Sequence, residues 1–222
     1  MKTRVTYCAL LLTALWLLPA TGRADQAVAA APPQPAAAEQ PFVAKATADL
    51  QKRYPTAADA EKAGYIRYTD EDETGAISYA NRQWTSSDAD HPSQLWYDAA
   101  GKLIGADFSV PLSAEPPQLW GINPARWQTF HAHVHYGLAG PGGTTVFGAT
   151  GAKGMAKGGG TVDHPTAAAL VAAGLAKDPA DVKFVFTFPA IWDLQLWLVP
   201  NPNGVFADAN PNVKPVHPKA SM

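Results

Sequence analysis

Two runs in this chain alternate apolar and polar residues with a period of two, and that alternation commits the chain to a sheet with a buried face. In the first, Phe130, Ala132, Val134 and Tyr136 share a core side. His131, His133 and His135 line the opposite side, with Thr129 and Trp127 continuing their row. In the second, Trp192, Leu194, Leu196 and Leu198 form a core side that leaves Asp193, Gln195 and Trp197 opposite.

The rest of the chain fits around such a sheet. Phe42 to Arg53 carries Phe42, Ala46 and Leu50 on a helical stripe that Pro55 ends. Thr56 to Gly64 reads as a second short helix, with Thr56 as N-cap. Strands are expected over Tyr65 to Thr69 and Ala76 to Trp84, on either side of an acidic turn. A hairpin joins Leu95-Trp96-Tyr97 to Leu103–Val110 through Asp98 to Gly101. In its second strand Ile104, Ala106, Phe108 and Val110 are expected on one face, with Asp107 and Ser109 on the other. Trp127 to Tyr136 reads as one strand, and Asp163 and Pro165 open a short helix that stops at Gly174. Lys183 to Phe188 and Ile191 to Val199 are the last strands. Residues 137–160 hold ten glycines in 24 positions, which predicts a mobile loop. The sum is an α+β fold: a single domain on a mainly antiparallel sheet of about seven strands with three or four short helices.

Residues 1–24 have the three parts of a secretory signal peptide. Lys2 and Arg4 precede the apolar run Val5–Leu18, and Gly22-Arg23-Ala24 places small residues for cleavage after Ala24. The run is too short for a bilayer span, which needs about 20 residues. Export to the periplasm or the medium is therefore expected, with no membrane insertion once the signal is removed. Residues 25–41, rich in alanine and proline, read as a flexible linker. The globular domain is expected at 42–215, with 216–222 as a tail.

Export also narrows the chemistry. The single cysteine, Cys8, lies inside the signal, so neither a disulfide nor a thiolate belongs to the mature domain. Lys2, Arg4 and Arg23 are three of the 17 basic residues, so the remainder carries 14 against 19 acidic ones, a net of −5 with neutral histidines. That balance argues against a nucleic-acid partner.

Histidine and carboxylate remain as donors. Alternate residues of a strand lie about 6.5–7 Å apart at Cα, so neighbouring imidazoles can converge on one ion, whereas all three rings of a flat strand cannot. The candidate metal ligands are therefore His131, His133 and His135, helped by His164 or Asp193, with His91 a further candidate. A set of N and O donors suits Zn²⁺ or Cu²⁺. The expected function is an exported metal-binding protein that handles copper or zinc, its partner a metal ion or small molecule. The alternatives are a metal-dependent extracytoplasmic enzyme on the same histidines, and a structural or partner-binding β domain without metal. No catalytic residue can be assigned from spacing.

Other motifs lead nowhere by themselves. Gly148 to Gly154 lacks the Gly-Lys-Ser/Thr ending of a phosphate loop. Phe130-His131-Ala132-His133 resembles the zinc strand of α-type carbonic anhydrases, but Gln195 stands where a third histidine would be expected. The stretch Trp197 to Pro211, with its Asn-Pro-x-Gly turn, resembles the closing motif of a group of uncharacterised secreted bacterial proteins. Tyr54-Pro55-Thr56, the Asp98–Gly101 turn and the histidine cluster share that resemblance. It implies one exported domain and no particular activity. Phe206 is expected to plug the end of the sheet.

Overall fold

The computed structural model describes residues 34–217. The signal segment and residues 25–33 of the expected linker lie outside them. The protein is a mixed α+β fold of four α-helices and two antiparallel sheets, one of six strands and one of three.

Helices α1 (Gln40–Arg53) and α2 (Ala57–Lys62) come first. The Thr56 side chain caps α2 by accepting from the Asp59 N–H, which satisfies one of the free donors of a helix start. Strands β1 (Ile66–Arg67), β2 (Ile77–Ala80), β3 (Gln94–Tyr97) and β4 (Leu103–Pro111) follow as an antiparallel meander. The strands β5 (Gln128–Phe130) and β9 (Ile191–Trp197) complete the six-stranded sheet, in the order β1-β2-β3-β4-β9-β5. The second sheet has β6 (His133–Ala139) between β7 (Thr145–Thr150) and β8 (Val182–Phe188). Helices α3 (Ala152–Lys157) and α4 (Ala167–Ala172) lie between β7 and β8 in the chain.

Alternation sorts the side chains into layers. On one side of the large sheet, Leu95, Ala106, Phe108, Leu194 and Leu196 pack against Phe42, Ala46 and Leu50 of α1. Ala80 and Ile191, on its other side, meet Phe186 and Phe188 of the small sheet. Val134 and Tyr136, on the far side of the small sheet, are covered by Met155 of α3 and Leu170 of α4. The order of layers is helices, six-stranded sheet, three-stranded sheet, helices, so the two sheets face each other over a shared space.

Several expectations need correction. Trp127 to Tyr136 is not one strand. The ladder breaks at His131 and Ala132, so Gln128–Phe130 stays in the large sheet while His133–Ala139 crosses into the small one. Trp127 consequently packs in the core beside α1 and does not continue the histidine row.

The glycine-rich stretch 137–160 is not a loop. It contributes the last three residues of β6, all of β7 and all of α3. Two of its glycines make room for rings: a Cβ at Gly137 would stand 2.4 Å from Phe184, and one at Gly148 would stand 2.5 Å from Tyr136. Composition alone suggested freedom, whereas close packing explains these residues.

In β4, Trp96 pairs with Gly105 and Tyr97 with Leu103, which makes Ile104 the extra residue of a β-bulge. Ile104 therefore turns away from Ala106 and joins Trp96 and Trp197 on the opposite face. Strand Ala76–Trp84 stops at Ala80 and continues as a 3-10 turn, Arg82–Trp84. The cap of α4 is Thr166, whose side chain accepts from Ala169 N–H, and not Asp163. Counting both sheets gives nine strands where about seven were expected.

The domain also extends beyond both expected limits. Glu39, 1% exposed, accepts from the N–H groups of Ala36 and Asn123 and pairs with the buried Arg126. Residues 34–39 are thus built into the fold and are not part of a free linker. At the other end the buried Glu71 accepts from the N–H groups of Val216 and His217 at 2.7 and 2.6 Å. Phe206 lies part-buried against the main core, under the Arg126 guanidinium at 4.3 Å.

Candidate functional site

The space between the sheets is a cavity of about 260 Å³. The small sheet supplies His133, His135 and Phe188, and the large sheet supplies Asp107, Asp193 and Gln94 among others. Asp72 and Thr74 of the acidic turn line it too, as does Asp208 of the C-terminal segment. Among the described residues, no lysine or arginine lines it.

The two histidines are brought together by strand alternation. Side chains at i and i+2 of β6 share a face, and here that face is turned toward the large sheet. The Nε2 atoms of His133 and His135 stand 3.0 Å apart. Each ring is braced. His133 lies parallel to Phe188, 7° between planes and 5.5 Å between centroids, while His135 meets Tyr68 edge to face at 4.6 Å. The Nδ1–H of His133 donates to the His131 carbonyl at 2.8 Å, leaving its Nε2 as an acceptor. The short contact then requires His135 to donate from Nε2. Burial, followed by the nearness of His133, holds His135 down to about 4, so it is neutral at physiological pH.

This separation has a chemical meaning. Two nitrogens bound to one ion at about 2.0–2.1 Å, at angles from 90° to tetrahedral, are separated by roughly 2.9–3.4 Å. The histidine pair already has that bite.

The opposite wall carries two buried carboxyl groups. Asp107 and Asp193 are each 6% exposed. Because Asp107 pairs in register with Gln195 and Ser109 with Asp193, the two carboxyl groups are diagonal neighbours on one face. The Trp96 indole N–H donates to Asp107 Oδ2 at 2.9 Å, and the Ser109 hydroxyl donates to Asp193 Oδ1 at 2.6 Å. Ser93 supports Ser109, with their hydroxyl oxygens 2.5 Å apart. Burial pushes both carboxyls up, and for Asp107 the neighbouring Asp193 charge adds to it. Two buried carboxyls side by side disfavour a doubly ionised pair and favour a proton held between them.

The sequence-derived ligand set is only partly assembled. His133 and His135 meet, but His131 sits exposed at the strand break and His164 is exposed before α4. Neither lines the cavity. His91 stacks on Trp84 at 4.1 Å, outside it. Asp193 lines the cavity, but its strand pairs with β4 and β5, not with the histidine strand. Gln195 donates to the Ala207 carbonyl at 3.0 Å, which ties down the C-terminal segment. Among the described residues, no three His, Cys, Asp or Glu side chains form a group that could hold a metal ion. Sequence reasoning missed Asp107, Gln94 and Tyr68, whose hydroxyl donates to Gln94 Oε1. The available signal for Asp107 was a lone carboxylate alternating with core residues in a strand otherwise fit for burial.

No family model matches this chain, no curated protein matches it, and no solved structure matches it.

Proposed function

We propose that this chain is an exported, periplasmic or secreted metal-binding protein that takes Zn²⁺ or Cu²⁺ at His133 and His135. The observation that carries this reading is the 3.0 Å between the two Nε2 atoms, which gives both a cis bite on one ion. The acidic, cation-free lining of the cavity supports it, because a positive charge meets no Lys or Arg there. The signal-like N-terminus supports the location, in keeping with the resemblance to secreted bacterial proteins.

Calorimetric titration of the purified protein with Zn²⁺ and with Cu²⁺ tests the binding. Micromolar or tighter affinity is the expected result, and no heat of binding for either ion defeats the reading. Mass spectrometry of the protein recovered from the periplasm or medium should find Asp25 at its N-terminus.

A second reading, a metal-dependent extracytoplasmic enzyme, is favoured by the Asp107–Asp193 pair. It puts a proton donor and an acceptor in the same cavity as a coordination site with open positions. The two readings separate on turnover: an enzyme hydrolyses ester or phosphoester probes when loaded with metal, and a binder does not.

A further inference from the structure

We propose, building on the metal reading above, that the cavity receives the ion together with a small organic chelator that occupies the space between the sheets. The protein brings two nitrogen donors to the ion, out of the four to six positions such an ion fills. The other positions open onto a cavity of about 260 Å³, several times the roughly 30 Å³ share of one water.

The walls define the chelator. Phe130, Phe188, Trp96 and Trp197 line the cavity, and their apolar surface favours contact with carbon groups over contact with water. Methylene groups of a chelator cover the rings instead. Asp72, Asp193 and Asp208 line the same space and bring carboxyl acceptors to it. With no lysine or arginine among the described residues of the lining, the wall offers no cation to neutralise a free carboxylate of the ligand. The fitting class is therefore a compact amine chelator, neutral or cationic, whose N–H groups point to the aspartates. Anionic polycarboxylate chelators are excluded by charge.

The test uses Cu²⁺ alone, Cu²⁺ with one equivalent of ethylenediamine, and Cu²⁺ with one equivalent of nitrilotriacetate, each titrated into the purified protein. Electron paramagnetic resonance counts the nitrogens on copper. The expected result is a ternary complex with four nitrogens, two imidazoles and two amines, bound at least tenfold more tightly than Cu²⁺ alone, and no ternary complex with nitrilotriacetate. Ser78→Leu, which adds bulk to the cavity from the large sheet, should weaken the ethylenediamine complex more than it weakens binding of the bare ion. Should that variant misfold, the nitrogen count on the unaltered protein decides alone. If Cu²⁺ binds but ethylenediamine strips it from the protein, or adds no nitrogen to its spectrum, the chelator proposal is overturned and the metal reading stands. If neither Cu²⁺ nor its ethylenediamine complex binds, both are overturned.

Discussion

His133 and His135 hold their Nε2 atoms 3.0 Å apart because Phe188 backs one ring, Tyr68 braces the other, and the His131 carbonyl fixes the first ring's tautomer. A metal site built on that relationship depends on these two side chains and on no other histidine. Alanine at either position should weaken Zn²⁺ or Cu²⁺ binding about 100-fold, roughly 2.7 kcal/mol. His131→Ala and His164→Ala should leave affinity within about twofold, since neither side chain lines the cavity. Calorimetry on the four single variants checks this. Equal losses at all four would mean that the ion sits on surface histidines.

The carboxyl pair makes stability depend on pH. An unfolded aspartate titrates near 3.9, whereas burial holds Asp193 up to about 7 in the folded protein. Between those values the folded state binds the proton more strongly, so stability falls as pH rises from about 4 through about 7. Asp193→Asn removes the Asp193 share of this dependence, leaving that of the buried Asp107, while keeping an acceptor for the Ser109 hydroxyl. Relative to the unaltered protein, the variant should gain on the order of 2 kcal/mol between pH 5 and pH 8. Urea unfolding at both pH values measures the difference, and parallel curves at the two pH values would show that the pair shares no proton.

Gly105 determines where Trp96 can lie. A Cβ there would come within 2.2 Å of the indole ring, and the Leu196 carbonyl oxygen is at 3.1 Å, so neither neighbour leaves room. Gly105→Ala should cost about 1–3 kcal/mol through overpacking. It should also swing the indole off Asp107, breaking the 2.9 Å hydrogen bond. Thermal unfolding reads the first effect. A shift in tryptophan emission reads the second, because a buried indole loses its carboxyl partner.

The alternation of β9 was legible because it persists: Leu194 and Leu196 are fully buried in one core, while Asp193, Gln195 and Trp197 line the cavity on the other side. Val134 and Tyr136 opposite His133 and His135 could be read for the same reason. The break at His131–Ala132 could not. Nothing in a run of alternating residues marks where a strand leaves one sheet for another, since both sheets demand the same period. The face of Ile104 cannot be read from alternation, because a bulge shifts parity without changing composition. Asp107 was passed over because its partner is 86 residues away in the sequence and one strand away in the sheet. The order at Gly137 and Gly148 is invisible in composition because their neighbours, Phe184 and Tyr136, are set by tertiary packing.

Glu39 shows why the fold starts before its first helix. Its carboxylate is held by Arg126 Nε at 3.0 Å and Nη2 at 2.8 Å, and by the N–H groups of Ala36 and Asn123. Arg126 Nη2 also reaches the Gln34 carbonyl at 2.9 Å, so the segment 34–39 is clasped from both ends. Removing the negative charge takes the Glu39 carboxylate from a buried guanidinium, and breaking such a buried pair costs about 3–5 kcal/mol. Glu39→Gln should therefore lower the urea midpoint by that amount of stability, while leaving metal affinity unchanged because Glu39 lies outside the cavity. Deleting residues 25–38 should produce a smaller loss of the same kind, because the ion pair survives but the Gln34 and Ala36 contacts do not. Should the deletion cost nothing by urea unfolding, the boundary at Phe42 suggested by composition is the better one.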